Sequence, residues 1–172
     1  RKPVRLDDVS DLVREQLFDV DLEGNDLNIW LYQTARVVIS FGHCGVLVDA
    51  PKEGEKARPY WVTYKPSDIL GWRTEIIDGA RELTQVRLLE KVVEPDGAYG
   101  EKNITQVRVL ERGRYEIHRK DDKKGEYKLF EEGEMSLKDK IPFAVAYSNR
   151  VGFYESRSPL YDIAELNLKH YQ

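Results

Sequence analysis

Three histidines, one cysteine and three adjacent pairs of carboxylates are the residues here whose chemistry could serve catalysis or metal binding. His43 stands beside Cys44, with Ser40 three positions upstream, while His118 and His170 are remote in sequence. A metal site needs two to four converging ligands. Neighbouring residues of an extended chain point to opposite faces, so His43 and Cys44 do not chelate as a pair. A nucleophile needs a base within reach, and no G-x-S-x-G elbow or Cys-His family signature surrounds Ser40, His43 or Cys44. The plain expectation is a small buried cysteine, with His43 at a helix C-terminus where positive charge suits the dipole. Asp7-Asp8, Asp121-Asp122 and Glu131-Glu132 lie in charged segments, where solvation rather than burial sets their ionisation. Gly97, Gly100 and Gly113 form neither G-x-G-x-x-G nor a Walker pattern. No catalytic, cofactor-binding or metal-ligating residue is therefore expected, and no enzyme.

Aromatic side chains offer a second chemistry. Tyr60, Trp61, Tyr64 and Trp72 could stack bases or line a ligand groove. Base stacking also needs a positive groove, and only Lys65 and Arg73 accompany them, so packing in a core is the expected role. Asn103-Ile104-Thr105 fits the glycosylation sequon, but no secretory pattern accompanies it.

The elements that must position these residues follow from composition and periodicity. With 41% hydrophobic and 34% charged residues in 172, the chain is globular and highly charged outside. A single core can hold a chain of this size, which removes roughly 70% of its unfolded surface from water. A net charge of -4 argues against a dedicated nucleic-acid binder. One cysteine permits no internal disulfide. No apolar run approaches the ~18 residues of a membrane span, so no membrane partner is expected. The chain begins at Arg1, its only methionine is Met135, and AELNLKHYQ runs in helical period without a stop signal. These features predict a piece of a longer chain.

Val9, Leu12, Val13, Leu17 and Val20 predict an amphipathic helix over 7–20. A second helix, capped by Asn25 or Asp26, is expected to reach Phe41 and end at Gly42, buried on more than one side. The period then becomes two. Strands are expected at 45–48, 60–64, 72–77, 83–93, 104–112, 114–119, 127–130 and 141–148, with a polar loop over Lys52–Lys56. Turns fall at Gly113 and at Lys123-Lys124-Gly125-Glu126. A last helix follows Ser158 as cap and Pro159 at its first position, with Leu160, Ile163, Ala164, Leu168 and Tyr171 on one face. Trp30, Val46, Val62 and Trp72 are expected in the core. The predicted class is α+β: two N-terminal helices, an antiparallel meander or small barrel-like sheet with hairpins, and a C-terminal helix, in one domain over 1–172. Within it, 7–42 is helical, 44–148 is β and 158–172 is the final helix.

Several segments carry a resemblance in their order. They are Gly42-His43-Cys44-Gly45-Val46-Leu47-Val48-Asp49-Ala50-Pro51 after a long helix, Ala57-Arg58-Pro59-Tyr60, and Tyr64-Lys65-Pro66-Ser67-Asp68-Ile69-Leu70-Gly71-Trp72-Arg73. Ile141-Pro142-Phe143 and Ser158-Pro159-Leu160-Tyr161 through Tyr171 complete the set. In this order the chain resembles bacteriophage portal proteins, in particular the DUF4055 family of prophage proteins grouped with them. The resemblance implies a wing-domain fragment of a head–tail connector ring, a virion structural protein. It implies a dodecameric homo-oligomer at the portal vertex through which double-stranded DNA is packaged and ejected. Terminase, capsid and connector proteins would be partners, and the host cytoplasm its location before assembly. The helix from Leu160 to Gln172 would lead towards a stem. The interleaved charge of Glu111–Lys128 reads first as a solvated hairpin edge protected against sheet pairing, and in a ring could supply a subunit contact. The alternative is a β-rich binding module of phage or host, with an aromatic groove for a peptide or ligand.

Overall fold

The computed structural model describes residues 8–50, 58–120 and 125–171. In chain order these form α1 (Asp11–Gln16), α2 (Leu27–Phe41), β1 (His43–Asp49), β2 (Tyr60–Tyr64), a 3-10 turn (Pro66–Asp68), β3 (Ile69–Ile77) and β4 (Ala80–Asp96). They continue as β5 (Gly100–Glu111), β6 (Arg114–Lys120), β7 (Tyr127–Glu134), β8 (Phe143–Tyr147), β9 (Arg150–Gly152), β10 (Glu155–Ser156) and α3 (Tyr161–His170). The chain divides into two compact units, one from Arg1–Pro66 with Phe143–Gln172, the other from Ser67–Pro142. Asp7, the Lys52–Lys56 loop, Asp121-Asp122, Lys123-Lys124 and Gln172 lie outside the described residues.

The α+β class with one meander or barrel-like sheet is not what forms. Strands take 49% of the described residues, in three sheets whose largest is a five-stranded antiparallel one, and the three helices are short. The reason lies in how apolar residues are spent. In the 7–20 segment only Asp11–Gln16 is helical, capped by the Ser10 hydroxyl, which accepts from the Val13 amide. Beyond Leu17 the chain folds back, with the Val20 amide donating to the Asn25 carbonyl and the Leu27 amide to that of Leu17. Val20 is thereby buried, and its carbonyl accepts from the Trp61 amide at 2.8 Å on the edge of β2. A helix continued to Val20 would lose that bond.

Helix α2 begins where the Asp26 carboxylate accepts from the Ile29 amide at 2.8 Å. It ends at Gly42, whose φ of +95° is a left-handed conformation that favours glycine. It buries Trp30, Thr34 and Val38 along one stripe, while Ile29, Tyr32, Ile39 and Phe41 are exposed, so burial on several sides is corrected to one face. Trp30 meets Trp61 edge to face, with ring centroids 4.8 Å apart.

Strand β1 is the centre of the first unit. It pairs antiparallel with β2 through Gly45↔Tyr64 and with β8 through Gly45↔Val145. Cys44, Leu47, Tyr64 and Phe143 are buried there, whereas Val46 and Val62, expected in the core, are only partly buried. The Phe143 ring occupies the space over Gly45, where an added Cβ would lie 2.2 Å from its Cζ.

The second unit is the five-stranded sheet, ordered β3-β4-β5-β6-β7 by consecutive hairpins. Asp78 and Gly79 both have positive φ at the β3–β4 turn, which matches the twist of paired strands. Alternation and register place Val86, Leu110 and Tyr115 in one row across a face, and Leu88, Arg108 and Ile117 in the next. Val86, Leu88, Leu110 and Ile117 are buried, as are Ile69 and Ile141; Trp72 is only half-buried.

Two substitutions test this packing. Gly45→Ala forces the Phe143 ring aside and is expected to lower stability by roughly 1–3 kcal/mol in chemical denaturation; an unchanged midpoint would remove Gly45 from the core. The buried Thr34 hydroxyl has no hydrogen-bond partner among the described residues. Thr34→Val keeps the shape and removes that orphan, so it should raise stability, on the order of 1 kcal/mol. A loss of stability would mean that the hydroxyl is paired.

Candidate functional site

The histidines and the cysteine are placed apart by the fold. His43 opens β1, His118 lies on β6 and His170 ends α3. His118 Nε2 is 2.9 Å from Glu116 Oε2 on the same sheet face, and His170 packs edge-on against Tyr171. Cys44 is fully buried, and burial pushes its thiol up to about 11, which leaves no reactive thiolate near neutral pH. Ser40 is exposed near the end of α2. Glu131 accepts from the Tyr115 hydroxyl at 2.9 Å on one face, while Glu132 is registered opposite Glu116 on the other, so these carboxylates do not act on one point. No group of three or more His, Cys, Asp or Glu among the described residues is placed to hold a metal ion. Asn103 lies within β5, an exposed strand position.

The aromatic strand is used internally. Trp61 packs on Trp30, Tyr64 lies 6.2 Å from Phe143, and the Tyr60 hydroxyl donates to Asp49. Trp72 sits in β3 of the other unit.

What the first unit does assemble is a joint built on small polar residues, from which α3 is launched. The Gly42 carbonyl accepts from both the amide and the hydroxyl of Ser148, each at 2.9 Å. His43 Nδ1 and Ser156 Oγ share a hydrogen bond at 3.1 Å. Ser158 donates through its hydroxyl to the Ile39 carbonyl at 2.8 Å and accepts from the Leu160 amide. Ser158 therefore ties the last turn of α2 to the start of α3, and the helix cap itself is Leu160, without a side-chain bond. Arg157 pairs with Asp162, and its guanidinium lies 4.7 Å from the Tyr161 ring centre. Tyr154 is held nearby with φ of +58°, its amide donating to the Tyr147 hydroxyl and its ring stacked on Phe153. These links fix the direction in which α3 leaves.

Helix α3 has no buried residue. Ile163, Leu166 and Leu168 are 65–71% exposed and Tyr171 is 82% exposed. Tyr161, Ala164, Leu168 and Tyr171 recur at three- and four-residue steps, the spacing of a helical seam. An open depression of about 700 Å³ at its start is lined by Phe41, Ser156, Arg157, Tyr161 and Glu165, among others.

The second unit carries a polar network across its sheet. Gln106 is buried; its amide donates to Glu90 at 2.8 Å and its carbonyl oxygen accepts from Arg119 at 3.2 Å. Glu90 also lies 2.8 Å from Arg108, and Arg119 reaches Glu94 at 2.6 Å while covering the Phe130 ring at 3.5 Å. A hydrogen bond from Gln85, with the hydrogen bond and charge of Arg114, holds the Glu111 carboxyl below the usual range against the opposing effect of burial. Of the interleaved charges in this stretch, Glu111, Arg112, Arg114, Glu116 and Arg119 find partners within the sheet.

No family model matches the chain, and no curated protein matches it either.

His43 gives a pH test of the joint. Burial lowers its pKa below the ordinary histidine value, which disfavours the positive charge expected to suit the α2 dipole. On acidification the unfolded chain takes up this proton before the folded one does. Its contribution is complete above about pH 6.5 and stability falls as pH drops below that, by at most about 1.4 kcal/mol per pH unit. Urea unfolding at pH 7.5, 6.5 and 5.5 should show a steeper loss in the unaltered protein than in His43→Gln. Parallel losses would show that the ring is not desolvated.

Proposed function

We propose that this chain is a structural, non-catalytic part of a homo-oligomeric assembly, the wing-like segment of a phage or prophage portal ring. The observation that carries this is α3, anchored firmly at its start while its apolar residues are all left to solvent. Isolated helices shorter than about 12–15 residues are marginal in water, so contacts beyond this chain are what would keep such a helix formed. A long stem helix continuing from α3, or a neighbouring subunit, would supply them.

The pieces that carry the resemblance also fall at junctions. Gly42 to Pro51 spans the end of α2 and, among the described residues, β1; Tyr64 to Arg73 spans the end of β2, the 3-10 turn and the start of β3. Ile141-Pro142-Phe143 leads into β8, and Ser158 onward forms α3. In the proposed role the protein would pass double-stranded DNA through an assembled dodecamer without touching its chemistry, with terminase, capsid and connector proteins docking on the ring. Its place would be the virion's portal vertex, reached from the host cytoplasm. Among the described residues no helix is long and apolar enough to cross a membrane. The groove alternative lacks a supporting observation, since Trp61 and Tyr64 are spent in packing.

Electron microscopy of a longer parent chain that continues past Gln172 tests this. Rings with a central hole are expected, and dispersed monomers would overturn the proposal. For the 172-residue chain alone, light scattering across a concentration series should show monomer or weak association. Exposed ion pairs contribute only about 0–1 kcal/mol each and are screened by salt. A salt-resistant large oligomer would place the ring contacts within this chain.

A further inference from the structure

The β4–β5 hairpin is longer than the sheet that holds it. β3 pairs with β4 only as far as Leu88, and β6 pairs with β5 only from Gln106 onward. From Lys91↔Thr105 to Asp96↔Gly100, the two strands are registered only with each other among the described residues. At about 3.4 Å per residue this makes an arm roughly 20 Å long. A two-stranded ribbon is marginal by itself in water. Arg119 braces the arm through Glu94 and Gln106, and beyond that rung Tyr99 is fully exposed. From the Glu94↔Lys102 rung outward the tip carries three carboxylates and one base, Lys102. Glu94 is paired with Arg119, which leaves Asp96 and Glu101 flanking Tyr99. Pro95 lacks an amide hydrogen, so growth of the sheet along this edge is disfavoured and the tip is suited to docking through side chains.

A surface of matching chemistry lies on α2. Ile29, Tyr32, Arg36 and Ile39 recur along its outward side and are all exposed. Arg36 is the sole charged residue of this helix, and its guanidinium lies 5.9 Å from the Tyr32 ring centre. One surface is aromatic and acidic, the other apolar with a single cation.

We propose that the β4–β5 arm of one copy docks on the outward face of α2 in a second copy. Tyr99 would lie against Ile29, Tyr32 and Ile39, with Asp96 and Glu101 towards Arg36. The two surfaces differ, so the contact is heterologous and repeats from copy to copy, closing into a ring if the rotation permits. It rests on the assembly role proposed above and deepens it. A ribbon tip on one helix face falls below the ~1,000 Å² of a stable interface, so the contact sets register between neighbours and does not hold them alone.

Disulfide trapping in the 172-residue chain tests the contact, because it captures weak encounters. Differently tagged Tyr99→Cys and Tyr32→Cys chains are mixed at high concentration and oxidised; Cys44, being buried, stays silent. Ile76→Cys, at another exposed position, replaces Tyr32→Cys in the control. All altered positions are exposed, and unchanged thermal melts confirm folding. Mixed dimers in clear excess over the control are expected, reduced roughly fivefold by Arg36→Glu and restored when Asp96→Lys and Glu101→Lys are placed on the arm. Trapping no better than the control, or indifferent to Arg36→Glu, overturns the proposal. Rings of the longer parent without the cross-link would sink the arm contact and leave the assembly role standing. The cross-link with a monomeric parent would do the reverse.

Discussion

The larger unit depends on β1 being paired on both edges, on one side by the nearby β2 and on the other by β8, almost a hundred residues later. Without β8 the strand would present Gly45 and Cys44 on a bare edge, and Phe143 could not cover the glycine. This one non-local pairing decides the topology, because everything in Ser67–Pro142 becomes an insertion between two strands that flank β1. The chain departs after Tyr64 and returns at Phe143, and these two rings lie 6.2 Å apart. Such an insertion is tolerable since loop-closure cost grows slowly with length, about 0.6 kcal/mol per doubling. It is cheaper still when the inserted segment folds by itself and brings its own ends together.

That segment is held in register by charge as much as by apolar packing. Val86, Leu88, Leu110 and Ile117 fill one face, but the next row along is Glu90, Gln106 and Arg119. A slip of one residue would move Gln106 and Arg108 to the other face and leave Glu90 without either partner. Half-buried ion pairs of this kind seldom add much stability over apolar residues, while breaking one leaves a costly unpaired charge. Their effect is therefore selective: wrong registers are penalised more than the right one is favoured. On the opposite face Glu116 and Glu132 are registered against each other, with Arg114 beside Glu116 to offset the repulsion and His118 Nε2 within hydrogen-bond distance of it.

Local signals in the sequence were read accurately. Asp26 and Gly42 mark the ends of α2, and Gly113 marks a hairpin, because caps and turns are decided by a few neighbouring residues. The class failed because it depends on pairing between distant segments. Nothing in residues 141–148 says that their partner is 43–47, so strand periodicity alone predicts one sheet where three form. Periodicity also overestimated burial. Ile29, Ile39, Leu166 and Leu168 have the types of core residues but lie on surface, and apolar type cannot separate a core from an interface. The joint was the least legible part. Ser148, Ser156 and Ser158 are common loop residues, and only the fold brings them to Gly42, His43 and Ile39; the one visible hint was Ser158-Pro159 before a helical run.

The contrast between the two ends of α3 bears on how such a surface would assemble. Ordering a flexible segment at the moment of binding costs free energy that is subtracted from the interface. Here the Ser158 bridge to Ile39 and the Arg157–Asp162 pair tie down the start of α3, so in the proposed assembly only the later turns would remain to be ordered. Covering Ile163, Leu166 and Leu168 fully would then contribute about 1.5–3 kcal/mol per side chain. A helix too short to persist unaided gains order and burial together, which makes its contact cooperative: half-covered, it frays, and fully covered, it is rigid. In the proposed assembly, such a subunit would stay single while dilute and join only a complete neighbouring surface.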